Sequence, residues 1–327
     1  MIPKFIPRRL TGLLVILPIM LGGEFQPLAA QDEVSRINVH FPGVTTNSMI
    51  FDVASKQGYY REEGIDARLI AARTDIGLLG LLAGNFDFTQ IMGATVTAAL
   101  AGAPLKILMI FDYKSLFWLY SRPEIKRVAD LRGKRIAISA FGSGTELALR
   151  YVLEKNGLSP KETLLIPMAT SLRVQALQSR SVDAAVVSAP SLPPARVLGF
   201  NELIFFGDYI ETVRGGVATT ENYLKRSPDL VRRFIRATLK GLRFYNKDSV
   251  VSVKLLSDWL KVEQKVAREL YDVEHRSYTE SGYRDEAFQR EVIRQFSRPQ
   301  ASREEFPASR VFDFRIVRQV ATELGGN

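Results

Sequence analysis

The chain has 327 residues, 46% of them hydrophobic and 24% charged, a globular balance whose length suits two domains or one large bilobal unit. Lys and Arg (44) outnumber Asp and Glu (35), for a formal net charge of +9, and there is no cysteine. Disulfides, thiol nucleophiles, cysteine-ligated zinc and iron–sulfur clusters are thereby excluded; with only His40 and His275, so is a multi-histidine metal site, and a Ser-His-Asp triad has almost no candidates.

Residues 1–30 read as an export segment. Lys4, Arg8 and Arg9 make a positive start, residues 10–23 are apolar and uncharged, and Leu28-Ala29-Ala30 offers small residues for cleavage near Ala30. Against a membrane anchor, the apolar run is broken by Pro18 and is short beside the ~20 residues a spanning helix needs. The expected mature protein is exported, periplasmic and soluble. Residues 37–41 then alternate as a strand and stop at Pro42-Gly43. Asn47 is placed to cap a helix through Gln57, with Met49, Ile50, Val53 and Ala54 on one face. Residues 65–71 form the next strand. Thr74-Asp75 opens a helix whose Leu78, Leu79, Leu81 and Leu82 are expected to be largely buried. Residues 86–92 are predicted as a third strand and 105–111 as a fourth, apolar almost throughout as a sheet covered on both faces requires. This alternation argues for parallel βαβ units.

The unit recurs. A strand at 135–138 leads to a helix at 143–156 closed by Gly157, then a strand at 164–167. Ser171 is expected to cap a helix carrying Leu172, Val174, Ala176 and Leu177, before a strand at 182–187, a short helix at 191–198 and a strand at 203–206. Leu81 and Leu177 each stand six residues before an aspartate, Asp87 and Asp183, near the start of an apolar strand, as two lobes on one plan would show. After a strand at 215–220 the chain is almost all helix. Ser227-Pro228-Asp229 starts one helix, and others are predicted at 250–260, 264–274, 285–297 and 314–324.

Four stretches carry a family signal. They are Gly58-Tyr59-Tyr60-Arg61-Glu62-Glu63-Gly64-Ile65; Ala83-Gly84-Asn85-Phe86-Asp87-Phe88 with Ala98-Ala99-Leu100-Ala101-Gly102-Ala103-Pro104-Leu105-Lys106; Asp130-Leu131-Arg132-Gly133-Lys134-Arg135-Ile136-Ala137 with Gly142-Ser143-Gly144-Thr145; and Ala176-Leu177-Gln178-Ser179 through Val182-Asp183-Ala184-Ala185. In this order, behind an export signal, they resemble the solute-binding proteins of ABC importers in the nitrate/sulfonate/taurine and thiamine-precursor group. The resemblance implies an α/β, two-lobed periplasmic-binding-protein fold of type II, with a ligand cleft between the lobes and a helical C-terminal part. It places residues 35–119 plus 214–327 in the first lobe and 120–213 in the second.

In open α/β sheets ligands bind beyond the carboxyl ends of the strands, a rule that selects loops here without alignment. It gives Pro42, Gly43, Thr45, Thr46 and Asn47 after the first strand, and Gln90, Met92, Gly93 and Thr95 around the end of the third. Tyr113 follows the fourth, beside Asp112 and Lys114. In the second half come Ser139, Phe141, Gly142, Ser143, Gly144 and Thr145, then Ser188, and Arg214 at the return crossover. Gly142 to Thr145 is the best chemical candidate: glycines allow close approach, N–H groups at a helix start favour an anion, and two hydroxyls add donors. Arg214 offers a bidentate partner for an anion, Phe41, Tyr113, Phe117, Trp118 and Phe141 offer flat faces, and Asp112 suits an amine instead.

The scattered basic residues form no stripe and accompany no nucleic-acid-binding motif. No hydrolase, zincin or dinucleotide fingerprint occurs; His40 is the residue to change in a test of catalysis. The expectation is a monomeric carrier without cofactor or metal, which captures a small anionic or heteroaromatic solute and delivers it to an ABC permease. An enzyme on the same fold acting on a thiamine or menaquinone precursor is the alternative, as is a ligand sensor for a membrane receptor.

Overall fold

The alternating apolar positions of the first strand and the i, i+3, i+4 stripes of the long helices set the layout of the chain. The computed structural model describes residues 34–139, 141, 144–297 and 306–325. The export segment expected at 1–30, and Gly142 and Ser143, lie outside the described residues.

The order opens with β1 (Ser35–Phe41), α1 (Met49–Lys56), α2 (Tyr59–Glu62), β2 (Ile65–Ala71), α3 (Thr74–Leu82), β3 (Phe88–Thr89), α4 (Met92–Leu100) and β4 (Leu105–Lys114). It continues with β5 (Phe117–Ser121), β6 (Arg135–Ile138), α5 (Gly144–Lys155), β7 (Leu164–Pro167), α6 (Arg173–Gln178), β8 (Ala184–Ser188), α7 (Leu192–Val197) and β9 (Asn201–Phe205). The rest is β10 (Glu211–Thr220), α8 (Glu221–Arg226), α9 (Pro228–Lys247), α10 (Ser249–Leu260), α11 (Gln264–Glu274), α12 (Glu286–Phe296) and α13 (Arg315–Glu323).

Two five-stranded sheets result, ordered β2-β1-β3-β10-β4 and β7-β6-β8-β5-β9. In each, the strand second from one edge (β1 or β6) pairs in parallel with two neighbours. The expected parallel units are therefore interrupted once per sheet. β10 runs antiparallel between β3 and β4, and β5 antiparallel between β8 and β9. The two aspartates of the sequence echo do the same work in both sheets. Asp87 accepts the Asn38 N–H of β1 at 2.8 Å while its own N–H donates to Asn38 O at 2.9 Å. Asp183 accepts the Arg135 N–H of β6 at 2.9 Å while its own N–H donates to Arg135 O at 2.8 Å. The side chain satisfies a strand-end donor where the ladder stops, so an acid recurs there.

The largest apolar cluster joins the first sheet to α1, α9 and the later helices. Val231, Phe234, Ile235, Leu239, Leu242 and Tyr245 of α9 are all buried in it, each worth roughly 1.5–3 kcal/mol of transfer free energy. Alternate residues of β5 feed two further clusters, Trp118 and Tyr120 on one face of the second sheet and Leu119 on the other. α11 belongs to both halves: Ala267 and Tyr271 join the first cluster, Val273 one of those on the second sheet.

Several local expectations change. The third strand shrinks to two residues because the chain leaves the sheet at Ile91 and Met92 already starts α4. Ser48, not Asn47, precedes α1, since Asn47 instead accepts the Thr45 hydroxyl at 2.6 Å. Ser171 lies in a 3-10 turn, and α6 begins at Arg173. In α3, Leu81 is buried but Leu79 is 68% and Leu82 42% exposed. That helix lies on its glycines: a Cβ at Gly77 would fall 2.0 Å from the His40 ring, and one at Gly80 2.5 Å from Phe86. Close approach on the glycine face turns the leucines outward. His40 itself is buried, with Nδ1 2.9 Å from Thr89 Oγ1 and Nε2 2.8 Å from Ala72 O, and burial lowers its pKa. It is a satisfied core histidine whose ring is turned toward α3 and Thr89.

Candidate functional site

Where β1 ends, residues 42–48 fold into a turn held by short polar contacts. Ser48 Oγ accepts the Thr45 N–H at 2.9 Å, and Trp259 of α10 donates its indole N–H to Thr45 O at 2.9 Å. Thr46 turns its hydroxyl inward to donate to Glu274, the last residue of α11. Against this turn stands the exit of β3, where the Gln90 N–H donates to His40 O at 3.0 Å. Between them opens a recess of about 300 Å³ lined by Pro42, Thr45, Thr46, Asn47, Gln90, Ile91, Met92 and Arg214. Seven of those eight were selected by the strand-end rule, and Ile91 is the addition. Gln90 is 3% exposed, and its Oε1 has no hydrogen-bond partner among the described residues.

Beneath the recess lies a buried charge cluster. Arg214, from β10, places Nη1 3.2 Å from Asp112 Oδ2 at the end of β4. Asp112 is fully buried, and burial pushes its carboxyl up against the pull of Arg214. Glu274, 4% exposed, completes the cluster. Burial pushes its carboxyl up from 4.5 to about 7, opposed by Arg214 and the Thr46 hydroxyl and helped by the Asp112 charge. One guanidinium thus faces two carboxyls. Arg214 reaches the recess with its charge already answered, and Asp112 is engaged from below rather than presented to a ligand.

A separate polar surface forms at the end of β6, and none of its residues lines the recess. Ser139 is exposed; its Oγ accepts from Thr145 Oγ1 at 2.9 Å and from Arg173 Nη2 at 2.7 Å. Gly144 begins α5, Phe141 is exposed, and Ser188 ends β8. A wider groove of about 760 Å³ runs along the connections between the sheets, with Ser115 and Phe117 on one crossover, Tyr209 to Thr212 on the other, and Leu147, Tyr151, Phe288 and Phe296 on the flanking helices.

Other selected residues point elsewhere. Thr95 is buried and donates its hydroxyl to Ile91 O within α4. Gly93 packs under Phe296, where a Cβ would stand 3.2 Å from the ring. Gly43 sits in the turn without lining the recess. The Tyr113 ring is covered by Arg284, 4.1 Å from its centroid, and by Phe288. Phe41 packs on Trp259, and Trp118 stacks on Phe205 inside the second sheet. Sequence reasoning missed Glu274 and Arg173. The available signal was the same for both: Glu274 continues the buried positions Ala267 and Tyr271, and Arg173 shares a buried face with Ala176 and Leu177. A charge on an apolar stripe marks a buried group with a partner to find.

Residues 45–249 match the family model described as NMT1/THI5 like. A Brucella abortus (strain 2308) protein described only as a binding protein is 26% identical over 253 residues, 76% of this chain and 79% of that protein. Among solved structures, the periplasmic sulfonate-binding protein SsuA from Methylobacillus flagellatus KT aligns with a TM-score of 0.72 at 17% identity, over 89% of this chain and 95% of that one. The desulfurization enzyme DSZB aligns with a TM-score of 0.64 at 15% identity, over 88% and 100%. At such identities the likeness is one of fold, and the fold is the two-lobed α/β arrangement of periplasmic binding proteins. With more than half of its length matched, the chain belongs to the NMT1/THI5-like family.

Proposed function

We propose that this protein is the extracytoplasmic solute-binding component of an ABC importer. It captures a small organic solute between lobes formed by residues 35–119 plus 214–327 and by 120–213, and delivers it unaltered to a membrane permease. Export through residues 1–30, cleavage near Ala30 and action as a monomer complete the reading. One observation carries it: two sheets of one plan turn the carboxyl ends of β1 and β3, and of β6, into polar walls, the arrangement that lets a solute stabilise a closed form. Kinship with proteins named for binding, SsuA among them, supports it. The enzyme alternative finds little support in the residues. The chain has no cysteine, His40 is consumed by Thr89 and Ala72, and His275 Nε2 rests 3.1 Å from Asn246 O.

Thermal-shift screening of the purified protein against nitrate, alkanesulfonates, aromatic carboxylates and pyrimidines tests this. A true ligand at a hundredfold excess over its Kd contributes ~2.7 kcal/mol and should raise Tm by about 5 °C. Chromatography should return that solute unchanged. Recovery of a converted product would overturn the carrier reading.

A further inference from the structure

Arg173 is 1% exposed at the start of α6, beneath the carboxyl ends of β6, β7 and β8. Its Nη1 donates to Val186 O at 2.6 Å, and Nε and Nη2 donate to Met168 O at 3.3 and 3.1 Å. The remaining contact is Nη2 to Ser139 Oγ at 2.7 Å. Carbonyl and hydroxyl oxygens satisfy its donors, but among the described residues no carboxylate pairs with its charge. A buried guanidinium stays protonated, and leaving it without a counter-ion is costly. Its hydrogen bonds tie the ends of β7 and β8 to α6, a task that does not itself call for a full buried charge.

Ser139 shows where the charge is directed. A hydroxyl oxygen has two lone pairs, and here both are occupied, by Arg173 Nη2 and by Thr145 Oγ1 at 2.9 Å. Its own hydrogen must therefore be donated, and Ser139 is exposed at the strand end. The first wall is the opposite case: Arg214 is already faced by Asp112 and Glu274.

We propose that Arg173, acting through Ser139, is the counter-charge for an anionic group of the bound solute, a carboxylate, sulfonate or phosphate, which docks on the second lobe, while the first-lobe recess receives the solute's uncharged, hydrogen-bonding end. This rests on the solute-binding reading and adds which lobe reads the charge. Arg173 is a positioning residue in this scheme, and Ser139 is the group that touches the anion.

The test titrates the purified protein with methanesulfonate and with dimethyl sulfone, a neutral probe of similar shape. Wild type should prefer the anion by about thirtyfold or more, and Ser139→Ala, a change at an exposed hydroxyl, should lose about tenfold in anion affinity. Arg173→Met should bring the two probes to within a few fold, and Arg173→Lys should restore much of the preference. Absence of an anion preference in wild type overturns the proposal, as does a preference of undiminished size in Arg173→Met or Ser139→Ala. If neutral solutes still raise Tm in the wider screen, only the assignment of charge falls. If no solute does, the carrier reading falls with it.

Discussion

Glu274→Gln should make the protein more stable at alkaline pH while changing little near pH 5. The wild-type carboxyl titrates at 4.5 when unfolded and at about 7 when folded. Between those values the folded state holds the extra proton, so stability falls as pH rises through the window, and the full penalty is present above pH 7. The difference, 7 − 4.5 at ~1.36 kcal/mol per pH unit, amounts to about 3 kcal/mol. Glutamine keeps an oxygen for the Thr46 hydroxyl but never ionises beside Asp112. Urea unfolding at pH 5 and pH 8.5 checks the prediction: the curves of variant and wild type should nearly coincide at the lower pH and separate at the higher. Parallel behaviour across the range would show that Glu274 is not the titrating group.

Gly216→Ala should cost about 3 kcal/mol, near the upper end for overpacking a core. A Cβ at this position in β10 would lie 2.2 Å from Met109 O and 3.2 Å from Ile110 Cα, both backbone atoms of β4, and 2.9 Å from Met92 Sδ. Methionine can swing away; a paired strand cannot, so β10 would have to part from β4 beside Arg214. Gly43→Ala is the control, since nothing lies within 4 Å of its Cβ position and its φ is not positive. It should change stability by less than about 0.5 kcal/mol. Equal losses for the two variants would mean that the β10–β4 contact is softer than its geometry.

Elements whose pattern is local were readable from the residues alone. The bounds of α11 and β7 coincide with the predicted 264–274 and 164–167, and the paired Asp87 and Asp183 occupy matching strand ends. What stayed hidden depends on partners distant in sequence. β5 reads as an aromatic loop until β8 and β9 close on it, and the leucines of α3 read as core until the glycine contacts with His40 and Phe86 are known. The recess was legible because its walls are strand ends. Its electrostatics were not: Arg214, chosen as a partner for an anion, meets Asp112 and Glu274, and Arg173, buried with no carboxylate partner among the described residues, lies in a helix read by its leucines.

The place of β10 between β3 and β4 imposes an order on assembly. β5 to β9 are consecutive, so the second sheet can close as soon as its own stretch of chain is available. The first cannot. Until residues beyond 210 arrive, β3 and β4 have no strand to join them, and each presents a bare edge of the kind that recruits other chains. A nascent polypeptide that stalls before Glu211 should thus be a client for holding chaperones, and refolding should show a fast phase from the contiguous half and a slow one from the split half.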